Sequence, residues 1–335
     1  MKNALITGIS GQDGSYLTEL LLEKGYNVYG LFRRRSTGEY GNVAHLADKI
    51  HFIYGDMSDL SSLITAIIES NPDEIYNLAA QSYVAVSWAE PLFTNDVNGA
   101  GVAKLLEAVK LVKPDTRVYQ ASTSEMFGKV QQIPQSETTP FYPRSPYGVS
   151  KLYAHWIAKN YRESYNMFVS CGILFNHESQ RRGKEFVTRK ITNTVAKIKY
   201  GKTDCLYLGN LDSKRDWGHS KDYVYAMWKM LQHTEPDDFV IATGKTYTVR
   251  EFVEAAFLCV GINIVWQGKG ANECGIDAET KKTLVKVDNK LYRPAEVELL
   301  MGDSTKAQKL LNWYPKYNLQ SLVKCMIDND LELEK

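Results

Sequence analysis

The 335-residue chain carries 40 basic and 39 acidic side chains, a formal charge of +1, and 44% hydrophobic residues. That balance creates no global field for nucleic acid or an anionic membrane, so an anionic ligand has to be held by local groups, and the length suits one large core, or a large core with a smaller lobe. Five cysteines, at 171, 205, 259, 274 and 325, are odd in number and lack Cys-x-x-Cys or Cys/His ligand spacing, which argues against a disulfide framework and against any metal site of the zinc type.

No apolar run is long enough to span a bilayer. The opening Met1-Lys-Asn runs into Ala4-Leu-Ile-Thr-Gly8 and is broken by Gly, Gln and Asp too soon for a signal peptide. A reducing cytoplasm is the expected compartment.

In chain order, short apolar runs predict strands near 3–8, 27–32, 50–54, 73–78, 116–122 and 168–174, alternating with helical patterns near 13–25, 59–70, 96–112 and 147–165. This alternation predicts an α/β fold, a doubly wound Rossmann parallel sheet. Gly25 suits a helix end, and Asn71-Pro72 closes another because the residue before Pro avoids helical angles. Beyond about 176 the pattern loosens into helices near 185–200 and 219–233, a strand at 238–242, a helix near 248–260 and two last helices from about 304 and 319. The expected domains are 1–175, binding a dinucleotide, and 176–335, a smaller α/β lobe for substrate with elements returning to the sheet. The segment 268–282 reads as a loop that covers the ligand or is an idle insertion, and the charged tail from Asp328 to Lys335 is expected to fray.

The turn Gly8-Ile-Ser-Gly11-Gln12-Asp13-Gly14 joins the first strand to the first helix, where glycines permit a tight turn and close approach of a pyrophosphate to the helix amino terminus. A dinucleotide site that takes NAD usually has an acid after the second strand. Here Leu31-Phe32 runs into Arg33-Arg34-Arg35, which points to NADP; taken alone, such a run is a solvated basic turn. Asp56-Met57 after the third strand suits an adenine contact, although Asp56 could equally cap a helix. Leu78-Ala79-Ala80-Gln81-Ser82 after the fourth offers small residues for the dinucleotide or for packing.

The fifth strand runs into Ser122-Thr123-Ser124-Glu125, and Tyr147 and Lys151 lie four apart on one helical face. A lysine ammonium beside a phenol favours the phenolate, which would make Tyr147 a base. An isolated Tyr-x-x-x-Lys is more often a half-buried ring with a solvated lysine.

The residues quoted so far, together with Tyr119-Gln-Ala-Ser-Thr-Ser-Glu-Met-Phe-Gly-Lys129, Pro140-Phe-Tyr-Pro-Arg-Ser-Pro-Tyr147, Phe175-Asn-His-Glu-Ser179, Phe186-Val-Thr-Arg-Lys-Ile191, Leu208-Gly-Asn-Leu-Asp212, Lys214-Arg-Asp-Trp-Gly-His219 and Tyr292-Arg-Pro-Ala-Glu-Val297, resemble the extended short-chain dehydrogenase/reductase family, and within it the GDP-mannose 4,6-dehydratase branch. The resemblance covers nearly the whole chain. It implies that Tyr147 removes the sugar O4 proton while hydride leaves C4 for a resident NADP, that Lys151 holds the nicotinamide ribose, that Thr123 positions O4, and that Glu125 serves as base at C5 and acid at the C6 hydroxyl. It further implies cofactor contacts from Arg33, Asp56, Leu78, His177 and Arg182, beside the glycine turn, Arg34, Met57, Ala79, Ala80 and Ser82. Asn176, Lys190, Gly209, Asn210, Arg215, Arg293 and Glu296 are implied for the GDP portion, with Ser82 near the sugar. A homo-oligomer, dimer or tetramer, is implied as well.

Tyr83 stands where the branch commonly has His, Gln180 where it has Pro, and Ser36 to Asn42 replaces a Ser-rich run. The usual Ser-rich run helps neighbouring subunits meet around the cofactor, so its replacement bears on a tetramer, while the altered sugar-pocket residues leave room for a larger ring substituent and make GDP-D-glycero-D-manno-heptose the nearest competitor to GDP-mannose. A GDP-sugar epimerase or 4-reductase that dispenses with Glu125, and a noncatalytic dinucleotide-binding protein, are the other readings.

Overall fold

The computed structural model describes residues 1–34, 36, 40–292, 295 and 297–335. The first six strands are β1 (Asn3–Thr7), β2 (Asn27–Phe32), β3 (Ile50–Tyr54), β4 (Glu74–Asn77), β5 (Arg117–Thr123) and β6 (Val169–Leu174), with helices α1 (Gln12–Glu23), α2 (Leu60–Ser70), α3 (Pro91–Asn95), α4 (Gly101–Val112) and α5 (Pro146–Tyr165) between them. The later elements are β7 (Asn176–Glu178), α6 (Val187–Lys199), β8 (Leu206–Leu208), β9 (Lys214–Arg215), β10 (Trp217–His219), α7 (Ser220–Gln232), β11 (Asp238–Ile241), β12 (Tyr247–Thr248), α8 (Val249–Leu258), β13 (Ile264–Gln267), β14 (Cys274–Asp277), β15 (Thr283–Val287), α9 (Thr305–Leu311) and α10 (Leu319–Leu333).

Seven parallel strands form the central sheet in the order β11–β6–β5–β4–β1–β2–β3. Every residue of β4, β6 and β11 is buried, as expected of strands covered on both faces. One core cluster includes Tyr16, Leu17 and Leu21 of α1, Met227 and Met230 of α7, and Trp313. Another gathers Leu63 and Ile67 of α2, Leu105 and Val109 of α4, and Ala154 and Ala158 of α5. A third cluster, with Ile191, Val195, Phe252, Phe257, Leu322 and Met326, packs α6, α8 and α10 beside the sheet β13–β14–β15–β8.

The chain order reverses between β1 and β4, and ligands of such sheets bind at the strand carboxyl ends beside that point. Those ends are stitched by a buried relay: Thr7 Oγ1 donates to Asn77 Oδ1 at 2.6 Å, and Asn77 Nδ2 donates to Gln120 Oε1 at 2.7 Å. Thr7 Oγ1 also accepts from the N–H groups of Leu78 and Ala79, each at 3.1 Å. Positions 8, 78 and 121 therefore start from one rigid edge.

Two expectations are corrected. The segment 268–282 is not a plain loop: β14 runs through it, paired with β13 and β15. The carboxyl-terminal residues are held: Asp330 is fully buried against Arg189, and the Glu334 carboxylate accepts from Asn193 at 3.0 Å.

Candidate active site

A cavity of about 330 Å³ opens at the carboxyl end of the sheet and is walled by Asp13, Leu78, Ala80, Ser82, Thr123, Glu125, Tyr147, Lys151, Asn176, His177, Arg182, Lys190, Gly209, Asn210 and Arg215, among others. The residues expected to do chemistry, and most of those expected to hold substrate, thus share one space although they come from widely separated parts of the chain. Arg293 and Glu296 lie outside the described residues, as does Arg35.

Thr123 ends β5, and its Oγ1 accepts the N–H of Glu125 at 3.2 Å, closing the single helical turn Ser124–Met126. That turn holds the Glu125 side chain buried against the cavity. Helix α5 begins sharply because Ser145 Oγ caps the N–H of Gly148 at 3.0 Å and Pro146 occupies the first turn. Tyr147 and Lys151 then face β5 on successive turns, and Lys151 Nζ donates to the Ala121 carbonyl at 3.1 Å.

The electrostatics differ from the expectation that Lys151 draws the phenol toward neutrality. Burial pushes the Tyr147 phenol up to about 12 against the Thr123 hydrogen bond, and Glu125 adds to the rise. Burial likewise drives Lys151 down to about 8. The lysine is engaged with the Ala121 carbonyl, and its Nζ lies 6.0 Å from the Tyr147 ring centroid. In the ligand-free protein both groups therefore resist their charged forms.

His177 donates from Nδ1 to the Phe175 carbonyl at 2.8 Å, and its Nε2 lies 2.6 Å from Asp13 Oδ2. Both partners are acceptors, so the ring is an imidazolium facing a carboxylate. Burial opposes these charges, but mutual attraction and the hydrogen bond win: Asp13 is held below the usual carboxylate value and His177 above that of imidazole. The pair ties the first turn of α1 to β7. Gln12 adds to the same seam, donating to the His177 carbonyl at 3.1 Å and accepting from Ser179 at 2.8 Å.

The glycine turn leaves space that only backbone can border. Gly8 has φ +70°, and a Cβ there would lie 2.8 Å from the Ala79 nitrogen; at Gly14 it would lie 2.5 Å from the Gly8 carbonyl oxygen. Gly11 is the N-cap of α1 and supplies no side-chain cap, so the first N–H groups of the helix remain available to an anion.

Arg33 and Arg34 are exposed beyond β2 and do not border the cavity. Asp56 does not cap α2: its Oδ1 accepts from the Ser58 N–H and hydroxyl, while Asp59 caps the helix. The Met57 side chain belongs to the core, against Gly101. Ala79 sits behind the cavity wall, beside Gly8.

Several participants escaped the sequence reading. Asn98, in a π turn at the start of the predicted 96–112 helix, exchanges two 2.8 Å hydrogen bonds with the Gln81 backbone and so fixes the loop bearing Ser82 and Tyr83. Phe186 borders the cavity, with Tyr83 edge-on at 5.4 Å and the Arg182 guanidinium 3.6 Å above its ring. Ser213 and Trp217 also line it, signalled only by alternation with Arg215 along an extended run. His155, Cys171 and Asp238 converge within 4.8 Å. There the carboxylate takes a two-pronged bond from Arg162 at 3.0 and 3.2 Å and Lys159 at 3.2 Å, so cations already occupy it.

Comparison with known proteins agrees with this geometry. The family model "GDP-mannose 4,6 dehydratase" matches residues 5–326. The GDP-mannose 4,6 dehydratase of Homo sapiens is 56% identical over 340 residues, covering 98% of this chain and 91% of that protein. The enzyme of that name from Yersinia enterocolitica is 53% identical over 354 residues, covering 100% and 95%. Among solved structures, a UDP-glucose 4-epimerase from Thermotoga maritima superposes with a TM-score of 0.84 at 23% identity, covering 99% and 100%, and a dTDP-glucose 4,6-dehydratase from Bacillus anthracis, in complex with NAD, with 0.81 at 23%, covering 98% and 96%. These two share the fold. The match along almost the entire sequence is the decisive one: this chain belongs to the GDP-mannose 4,6-dehydratase family.

Proposed function

We propose that the protein removes water from a GDP-linked hexose, converting GDP-mannose to its 4-keto-6-deoxy form with a resident nicotinamide cofactor. The observation that carries this reading is the presence of Glu125 in the same cavity as Thr123, Tyr147 and Lys151, because loss of water needs an acid/base that simple oxidation does not.

The open first turn of α1 and the glycine cradle fit a dinucleotide diphosphate. Arg33 and Arg34, free of acidic competition in the residues immediately after β2, favour NADP over NAD through a 2′-phosphate, with Asp56 toward the adenine and Leu78, Ala80, Ser82, His177 and Arg182 along the cofactor. When bound, a nicotinamide would supply the hydride acceptor for C4 and the hydride donor for C6. Tyr147 takes the O4 proton, with Thr123 orienting that oxygen. Lys151 anchors the ribose, and its ammonium favours the phenolate once a ligand draws it from the Ala121 carbonyl. The C4 ketone acidifies C5–H; Glu125 removes that proton and passes it to the departing C6 hydroxyl, so the acid form is made by the step that needs it. The proton that Tyr147 took from O4 is the one returned to C5 as hydride returns to C6, which restores the phenolate and leaves loss of one water as the sum. Lys190, Asn176, Asn210 and Arg215 are assigned to the GDP portion, where guanidinium and ammonium groups meet phosphate.

A second reading, the same elimination on GDP-D-glycero-D-manno-heptose, draws support from Tyr83 at the cavity wall. Incubation with each GDP-sugar, followed by mass, tests both: loss of one water without added reductant is expected, and the faster substrate identifies the sugar. Unchanged mass for both, or stoichiometric NADPH consumption, would favour the epimerase or reductase reading instead.

We also infer a homo-oligomer. Trp88, Leu92, Phe93, Val149, Tyr153 and Trp156 are exposed on packed neighbouring elements around α3 and α5, an apolar face suited to a second copy.

A further inference from the structure

We propose that Ser213 is a ligand-contacting residue of this cavity, donating its hydroxyl to a diphosphate oxygen of the nucleotide sugar. The assignment rests on the GDP-sugar reading above and adds a contact to it. Ser213 is 6% exposed and borders the cavity, yet its Oγ has no hydrogen-bond partner among the described residues. Buried hydroxyls in folded proteins are almost always paired, and an orphan at a cavity wall calls for an acceptor brought by the ligand.

The backbone explains why the hydroxyl is held there. The Ser213 carbonyl accepts the Val249 N–H at 3.1 Å, and β9 pairs antiparallel with β12 immediately afterwards. Side chains alternate along an extended run: Ser213, Arg215 and Trp217 are buried and line the cavity, while Lys214 between the first two is exposed. Ser213 therefore shares a wall with Arg215, and Lys190 borders the same cavity. Two cations select an anion, and a hydroxyl bonds a charged oxygen more strongly than a neutral one. A diphosphate is the part of a GDP-sugar that meets this description.

The test measures binding of GDP and of guanosine to the wild-type protein and to Ser213→Ala by calorimetry, with unfolding temperatures for each ligand-free protein. The expected result is a GDP affinity about tenfold weaker in the variant, an unchanged guanosine affinity, and a ligand-free unfolding temperature no lower than that of the wild type, since no internal bond is lost. Equal GDP affinity in the two proteins would overturn the assignment, as would an equal loss for guanosine or a destabilised ligand-free variant. A wild-type protein that ignores GDP would instead overturn the GDP-sugar reading and this contact with it.

Discussion

Arg189 and Asp330 form a fully buried ion pair, Nη2 to Oδ1 at 2.6 Å, that joins α6 to the end of the last helix. Thr192 donates to the same carboxylate at 2.6 Å, and the remaining guanidinium nitrogen donates to the carbonyls of Gln180 and Arg182. The carboxyl-terminal helix thus sets the loop that brings Arg182 to the cavity.

Asp330→Ala should cost about 3–5 kcal/mol, because it strands a guanidinium in the interior. Urea unfolding measures the loss, and the same variant should bind cofactor more weakly through the displaced Arg182. A change below about 1 kcal/mol would show that the pair is not needed.

Glu125→Gln keeps the shape of the turn Ser124–Met126 but removes the proton carrier. Turnover should fall by about two orders of magnitude or more, while bound cofactor and GDP affinity persist. The mass assay together with absorbance of the released nucleotide decides this; undiminished elimination would take Glu125 out of the mechanism.

Burial brings the Lys151 ammonium down to about 8 in the folded protein from its ordinary 10.5. Between those values the unfolded chain binds a proton that the native state does not, so this residue makes ligand-free stability rise with pH across that window. Lys151→Met should flatten the rise, read from unfolding temperatures at a series of pH values. Parallel curves for the two proteins would contradict the buried, uncompensated lysine. Tyr147, pushed up to about 12, should show no phenolate absorbance in the ligand-free protein at about pH 9, measured as the difference from Tyr147→Phe.

For Asp13 and His177 the signs are opposite. Asp13, lowered from 3.8, contributes stability that is present above that value and lost as pH falls through its folded pKa; His177, raised from 6.5, contributes stability that is complete below 6.5 and lost as pH rises through its folded pKa. Asp13→Asn should therefore cost most between the two, about 1–2 kcal/mol, and should return the imidazole toward an ordinary titration in NMR. A His177 ring that titrates unchanged in the variant would refute the pairing.

Much of the architecture was legible in local pattern. β1 to β6 match their expected spans to within a residue or so, each carrying a short apolar stretch between helical patterns. The four-residue step from Tyr147 to Lys151 carries their common orientation. β14 was hidden because Gly275 interrupts a segment rich in Gly, Asn and charge, and its pairing comes from neighbours on both sides. Met57, expected at the adenine, has its side chain buried in the core with its Cβ beside Gly101, a burial that depends on α4 and not on its near neighbours. Ser213 carries no signal as a serine; its role emerges only when its alternating neighbours enclose a cavity.

The chain alone determined what depends on near neighbours: the glycine turn, the Ser145 and Pro146 helix start, and the order of strands and helices. Tertiary structure decided the charges. Tyr147 and Lys151 owe their protonation to water excluded by distant segments, the Asp13–His177 pair owes its charges to a contact between residues 164 apart in the chain that outweighs its burial, and Arg189 finds its carboxylate partner 141 residues away. Desolvation and ion pairing depend on what surrounds a group in space, and short-range sequence pattern carries no record of that.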